Sequence, residues 1–234
     1  NIAVGLKSLG IECSVTATPV RMFVEVEENR VKEALQLLAR IFGISWYAKV
    51  EHVKLDELEE FVKKEWERFI DKDKSFAVRV KRVGNHAFTS QELASKLGSY
   101  IDAKVDLSNP QQVFWVEVRQ DDCYVFNEKH KGMGGLPLGS SGRVVALLSG
   151  GIDSPVASWL MMKRGCELVA LHATMHADGL KTVKALVEKL SDWHVGRKLR
   201  LFTYDHRIFF KEVGKEGGKY TCLLCKRFMV RLAN

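Results

Sequence analysis

The stretch "LLSGGIDSPVASWLMMKRG", residues 147–165, lies between two apolar runs, "RVVALL" (143–148) and "CELVALHAT" (166–174). Continuous apolar runs of this kind mark parallel strands buried on both faces, and "SPVASWLMMKR" between them makes a β-α-β crossover. The turn from strand to helix holds Ser149, Gly150, Gly151, Ile152, Asp153 and Ser154. Glycines there permit positive φ and close approach of the backbone to a ligand. The unpaired amides and positive dipole end of the helix N-terminus make an anion site. Asp153 or Ser154 can cap the helix, Pro155 suits its first turn, and Ser149 and Ser154 add hydroxyl donors. The turn has neither the Gly-Lys-Ser/Thr ending of a Walker loop nor a G-x-G-x-x-G string. It is either a phosphate cradle without a lysine or a ligand-free glycine turn.

Working outward, "KTVKALVEKLSDW" reads as a further helix, "KLRLFTYDH" as a strand and "TCLLCKRFMVRLA" as the start of another helix. Residues 143–234 are thus expected to form a parallel-sheet α/β domain that is incomplete. Upstream, "KHKGMGGLPLGSSGR" (129–143) has many glycines and no periodicity, and reads as a linker or flexible loop centred on 131–142. Before it, "SFAVRVKRVG" alternates as a strand that turns Arg79 away from Val78 and Val80. "TSQELASKLGSYI" opens with the capping box Thr89-x-x-Glu92, and "VFWVEVRQDDCYVF" reads as two strands around a polar turn. With the helix "LDELEEFVKKEWERF", striped by Leu55, Leu58, Val62, Trp66 and Phe69, these make an α/β unit over 52–130. Residues 1–51 read as a short helix, an extended strand over 14–26, a helix begun by Asn29 and ended by Gly43, and a strand in "ISWYAKVEHV". That order is most of a ferredoxin-like unit lacking its first strand.

The chain has 234 residues and a net charge of +7, a balance that draws polyanions, of which nucleic acid is the commonest. No apolar run reaches the ~18 residues of a membrane span. The first residue is Asn and no secretory signal pattern follows, so the sequence reads as beginning mid-protein. Five unevenly spaced cysteines are not a secreted disulfide framework, and a reducing cytoplasm fits them best. Only Cys222 and Cys225 stand close, with the C-x-x-C spacing of zinc, iron–sulfur and redox sites; one pair cannot complete a tetrahedral site. A cluster, a sulfur relay and a plain helix pair all remain open there, while Cys13, Cys123 and Cys166 read as small packed residues.

The string S-G-G-x-D-S in its strand-turn-helix setting resembles the PP-loop of the ATP pyrophosphatases. Residues 75–101 with 105–126 resemble a THUMP domain, an RNA-binding module. "GMGGLPLGSSGRVVALLSGGIDSPVASWLMMKRG" (132–165) and "IFGISWYAKV" (41–50) are similar to the tRNA 4-thiouridine synthetases (tRNA sulfurtransferases), and the likeness covers essentially the whole chain. The resemblance implies an α/β protein with a ferredoxin-like unit, a THUMP domain and a Rossmann-like PP-loop domain. It implies that ATP, with Mg2+, adenylates O4 of uridine 8 in tRNA, and that persulfide sulfur from a cysteine desulfurase then replaces that oxygen. Sulfur delivery to the carrier protein of thiamine thiazole synthesis, a homodimer, a cytoplasmic location and no membrane partner belong to the same expectation.

By residue, the resemblance implies Asp153 and Ser154 as catalytic, with the sulfur-carrying cysteine outside this chain. Nucleotide contacts are implied at Leu147, Leu148, Ser149, Gly150, Gly151, Asp153, Ser154, His172, Ala173 and Lys226, beyond the carboxyl ends of the strands, where ligands of open α/β sheets bind. An iron–sulfur cluster on Cys222 and Cys225 is implied by some members. Lys81, Arg82, Arg119, Lys129, Lys131 and Arg143 are the candidates for contact with the RNA backbone. The rivals are another PP-loop enzyme that modifies tRNA and a non-catalytic THUMP protein that binds RNA.

Overall fold

The chain begins with α1 (Ile2–Ser8), a hairpin of β1 (Cys13–Ala17) and β2 (Met22–Val26), and α2 (Val31–Leu38). The computed structural model describes residues 1–213 and 216–234. The single strand expected over 14–26 is two, paired antiparallel from Cys13↔Val26 to Ala17↔Met22. Pro19 lacks the N–H that a continuous strand needs. Thr18 closes the turn, its hydroxyl oxygen accepting from Arg21 N at 2.9 Å. Helix–strand–strand–helix is the middle of the ferredoxin-like order, and Leu6, Ile11 and Ala34 form its small core. Asn29 does not cap α2. It lies inside a 3₁₀ turn, Glu28–Arg30, and the helix starts at Val31 with no side-chain cap. Nor does Gly43 end the helix, which stops at Leu38.

The chain then runs through β3 (Trp46–Tyr47), β4 (Glu51–Lys54), α3 (Leu58–Glu65), β5 (Phe76–Val83), α4 (Ser90–Gly98), β6 (Gln112–Arg119), β7 (Asp122–Phe126) and β8 (His130–Lys131). "ISWYAKVEHV" is therefore two short strands, β3 and β4, and not one. Tyr47–His130 is one compact unit. Its sheet has the order β4-β7-β6-β5, with β5 and β6 parallel and the other pairs antiparallel. Leu58, Val62 and Trp66 pack with Leu93 and Leu97 against Val78, Phe114, Val116 and Val118. The Thr89 hydroxyl accepts from Glu92 N at 3.1 Å, and Glu92 Oε2 accepts from Thr89 N at 2.7 Å. Thr89→Ala should therefore cost about 1 kcal/mol, read as a lower midpoint in denaturant unfolding of the protein.

The remaining elements are β9 (Arg143–Leu147), α5 (Asp153–Lys163), β10 (Glu167–Thr174), α6 (Ala177–Ser191), β11 (Arg200–Asp205), α7 (Arg207–Val213) and α8 (Thr221–Ala233). They join the N-terminal elements in one unit, Asn1–Trp46 with Lys131–Asn234. Phe42 accounts for much of that union. It is 3% exposed and meets Trp159 edge-on at 5.3 Å and Trp193 stacked at 5.9 Å. The sheet is parallel with the order β11-β10-β9. Leu148, Leu168 and Ala170 pack with Met162 of α5 and Val183 and Leu190 of α6. Burial on both faces is not what β9 shows: Val145 and Leu147 are each 40% exposed. They alternate with the core-facing Val144, Ala146 and Leu148 and lie on the other face.

The glycine-rich connection is not a loose loop. Gly134 N donates to Ile44 O, Leu136 N to Lys163 O and Gly139 N to Gly165 O, at 2.8–2.9 Å, and Leu138 is buried. Glycine is required there by close approach. A Cβ on Gly135, whose φ is +77°, would stand 2.2 Å from Lys163 O. No helix among the described residues is long and apolar enough to cross a membrane.

Candidate functional site

The loop Ser149–Ser154 leaves the carboxyl end of β9 and enters α5. The helix begins at Asp153 with Ile152 in the capping position and no side-chain cap. Neither Asp153 nor Ser154 serves as the expected cap. The Ser154 hydroxyl turns back into the loop instead: it accepts from Ser149 N at 3.0 Å and lies 3.1 Å from Ser149 Oγ. Ser158, buried one turn on, donates to Ser154 O at 2.7 Å and holds that first turn. The first amides of a helix have no intrahelical acceptor, and no side chain here takes their place as a cap.

Gly150 and Gly151 are exposed, and neither uses the positive φ that glycine permits. A Cβ on Gly150 would meet nothing nearer than Thr182 Cγ2 at 3.7 Å, and one on Gly151 only Ser149 Oγ at 3.6 Å. Both are ordinary van der Waals contacts. Unlike Gly135, these two glycines answer no packing demand among the described residues.

The neighbouring strand ends carry the other expected residues. Leu148 is buried, its N–H donates to Leu171 O at 2.9 Å, and its carbonyl accepts from His172 Nδ1 at 2.8 Å. A carbonyl only accepts, so Nδ1 carries the proton and the buried Nε2, which has no partner among the described residues, offers a lone pair when the ring is neutral. Ala173 follows on β10, and Leu147 pairs with Leu171 across the strands. Thr182 of α6 comes up beside Gly150, which no sequence pattern announces. Lys226 is exposed on α8, and no described contact ties it to the loop.

Of the basic residues, Lys81, Arg82 and Arg119 gather at the carboxyl ends of the parallel pair β5 and β6, where Lys81 lies opposite Glu117 and Val83 opposite Arg119. Arg119 is tied to buried Glu117, with Nε 2.6 Å from Oε1. Arg82 donates to His86 O at 3.4 Å, and Lys129 lies 5.3 Å over the Trp115 ring. Lys131 and Arg143 belong to the other unit. Arg143 and Arg197 flank Glu167, at 3.3 and 2.7 Å; burial pushes that carboxyl up, and the two guanidinium groups outweigh it and hold it below its usual range. At the edge of the four-stranded sheet, Lys54 first and His52 second hold Asp122 low, at 2.6 and 2.7 Å.

Cys222 is exposed and Cys225 half-buried near the start of α8. Among the described residues, no three His, Cys, Asp or Glu come together to hold a metal. The two cysteines do not complete a cluster site by themselves. Cys123 and Cys166 are buried, as packed residues should be, and burial pushes the Cys123 thiol up to about 11.

Residues 53–128 match the THUMP domain, and residues 139–234 match the family described as thiamine biosynthesis protein (ThiI). Two relatives named "Probable tRNA sulfurtransferase", from Methanocaldococcus jannaschii and Thermococcus kodakarensis, are 37% and 38% identical over all of this chain. The chain spans 65% of each of them, and 58% of the relative from Methanothermobacter thermautotrophicus, at 38% identity. The crystal structure of a 4-thiouridine synthetase–RNA complex with bound ATP superposes with a TM-score of 0.82, at 28% identity, over 99% of this chain and 63% of that one. The crystal structure of PH1313 from Pyrococcus horikoshii gives 0.78, at 26%, over 92% and 74%.

Fold and family models together define an α/β protein in which a THUMP domain precedes a domain that matches the ThiI family. Along its length the chain is similar to the tRNA sulfurtransferases, or 4-thiouridine synthetases.

Proposed function

We propose that the protein uses ATP to activate uridine 8 of tRNA, so that sulfur replaces the O4 oxygen. The observation that carries this is the exposed, uncapped loop whose two glycines no internal packing requires, in one chain with a THUMP domain. The amides around Gly150 and Gly151, with the Ser149 and Ser154 hydroxyls, hold the β,γ end of the triphosphate. Leu147, Leu148, His172 and Ala173 line the nucleoside at the strand ends, and Lys226 adds a point charge. Asp153 would be the carboxylate that holds Mg2+, and the ion would supply counter-charge for pyrophosphate there.

The uridine O4–Pα bond forms as the bond from Pα to the bridging oxygen breaks, and pyrophosphate leaves. The terminal sulfur of a persulfide attacks C4, and AMP departs with O4. A second thiol takes the carrier sulfur as a disulfide and frees 4-thiouridine. A cysteine desulfurase is the persulfide source, in the cytoplasm; the carrier protein of thiamine thiazole synthesis is a second sulfur acceptor, and the enzyme works as a homodimer. Lys81, Arg82, Lys129 and Lys131 contact the RNA backbone. Arg119 and Arg143 must first exchange Glu117 and Glu167 for phosphate.

The test combines the protein with unmodified tRNA, ATP, Mg2+, cysteine and a cysteine desulfurase. Pyrophosphate release matched by 4-thiouridine at position 8, seen by nucleoside mass spectrometry, is expected. RNA and ATP binding without pyrophosphate release would leave a binding protein only, and thiolation of another base would assign a different substrate.

A further inference from the structure

The end of the parallel sheet opposite the nucleotide loop carries a second group of anion-seeking residues. Arg143 and Glu167 are the first residues of β9 and β10 and lie opposite each other. The Glu167 carboxylate takes two guanidinium groups, Arg143 at 3.3 Å and Arg197 at 2.7 Å. Arg197 comes from the segment before β11, and its guanidinium lies over Gly139, where a Cβ would stand 2.8 Å from Nη2. The connection that carries Gly139 is fixed to the turn after α5, since Gly139 N and Ser141 N both donate to Gly165 O, at 2.8 and 3.0 Å. That seating brings the Ser140 and Ser141 hydroxyls together beside Gly165, where a Cβ would meet both, at 2.6 and 2.8 Å. Both serines are exposed, and neither hydroxyl has a hydrogen-bond partner among the described residues.

Two arginines on one carboxylate leave a positive charge over. Lys198 and Arg200, exposed at the amino end of β11, add to it and have no acidic partner among the described residues. Arg143, Glu167 and Arg200 alternate with the core-facing Val144, Leu168 and Leu201, so they share one face of the sheet. The side chains of Arg143 and Arg197 are 59% and 41% exposed, while that of Glu167 is 17% exposed. The difference decides which group can move. A mostly buried carboxylate has to keep a cation. Arg197, at the shorter distance, supplies it alone, so Arg143 is free to turn to another anion.

We propose that Ser140, Ser141, Arg143 and Arg197 form a second anion site, whose occupant is a phosphodiester of the RNA backbone and whose arginines Glu167 positions. Arg143 leaves Glu167 for the phosphate, and the two hydroxyls donate to its oxygens. Arg197 stays on the carboxylate and offers its remaining N–H groups. Arg143 and Leu147 are at opposite ends of β9, roughly 13 Å apart at the strand rise, so this site is distinct from the nucleotide loop. Exposed groups on an open surface suit a polymer that runs past them, and contacts of this kind fix the position of RNA without reading its bases. The choice of RNA rests on the reading that the protein acts on tRNA; the anion site itself does not.

The test measures tRNA binding by fluorescence anisotropy over a salt series, with ATP-free protein and an unmodified tRNA transcript. Arg143→Gln should weaken binding about tenfold at 0.1 M salt and lower the slope of log affinity against log salt by about 1, as loss of one phosphate contact does. Ser140→Ala combined with Ser141→Ala should weaken binding about threefold and leave the slope unchanged, since the lost donors carry no charge. Glu167→Gln removes the competitor for Arg143 and should tighten binding about threefold, which a merely structural role of Glu167 would not do. Unchanged affinity and slope in Arg143→Gln would overturn the site, and so would weaker or unchanged binding by Glu167→Gln at an unchanged thermal midpoint. Calorimetry with inorganic pyrophosphate separates the sources of the anion. Loss of pyrophosphate binding in Arg143→Gln, with tRNA binding kept, would assign a free anion and overturn the RNA occupant. These assays use neither ATP nor a sulfur donor. Binding of tRNA without thiolation would therefore sink the proposed function and leave this site standing, whereas a parent protein that bound no tRNA would overturn both.

Discussion

Asp153→Ala is expected to lower tRNA-dependent pyrophosphate release by about 100-fold or more, the scale on which losing a charge-stabilising group at a reacting phosphate acts. Stability should barely move. Asp153 is the first residue of α5, is exposed, and makes no capping bond. Only its favourable place at the positive end of the helix is lost, about 0.3–1 kcal/mol. Asp153→Asn keeps size and polarity and removes the charge, so it should fall nearly as far. Pyrophosphate measured by a coupled assay, beside a thermal melt of each variant, checks both halves. Unchanged release in Asp153→Ala would remove Asp153 from the chemistry.

The second large effect is a contrast between two glycines. Gly135→Ala forces a Cβ into the carbonyl of Lys163 and leaves alanine at φ +77°. Strain of about 1–3 kcal/mol for the backbone, with displacement of the contact added, should lower the unfolding midpoint sharply. Gly150→Ala meets only Thr182 at 3.7 Å and should melt within about 0.5 kcal/mol of the parent. Its cost should appear instead in nucleotide affinity, as about a tenfold or greater rise in the Kd for ATP measured by calorimetry, because the methyl group stands where the backbone must meet phosphate. ATP binding untouched in Gly150→Ala would mean that the loop is a plain turn.

Local chemistry makes much of this molecule legible from its residues alone. The capping box at Thr89 and Glu92 needs only residues three apart, and it forms with both bonds. The stripe from Leu58 to Trp66 needs only helical period, and it is buried as read. The loop at 149–154 is legible for the same reason, since strand, turn and helix are consecutive.

The features that local pattern mistakes depend on partners far along the chain or on the path of a turn. The run from Cys13 to Val26 looks like one strand until Thr18 and Pro19 fold it into a hairpin. The segment 131–142 looks loose because its glycines show no pattern. Their reason lies at Ile44, Lys163 and Gly165, reached only in the folded unit. Asp153 and Ser154 both look like caps, and the choice of Ser154 to bond Ser149 is made by the path of the loop. Arg197 gives no signal, being 30 residues from Glu167.

By itself, then, the order of apolar and polar residues determined most of the helices, the parallel crossover and the strand-turn-helix loop at 149–154, because those follow from periodicity and from adjacency along the chain. Tertiary structure alone decided which glycines are buried under carbonyls and which stand open, and that Phe42 closes the core of a domain a hundred residues away. It also set two guanidinium groups on one carboxylate. Contacts between distant residues are chosen by packing, which no local pattern records.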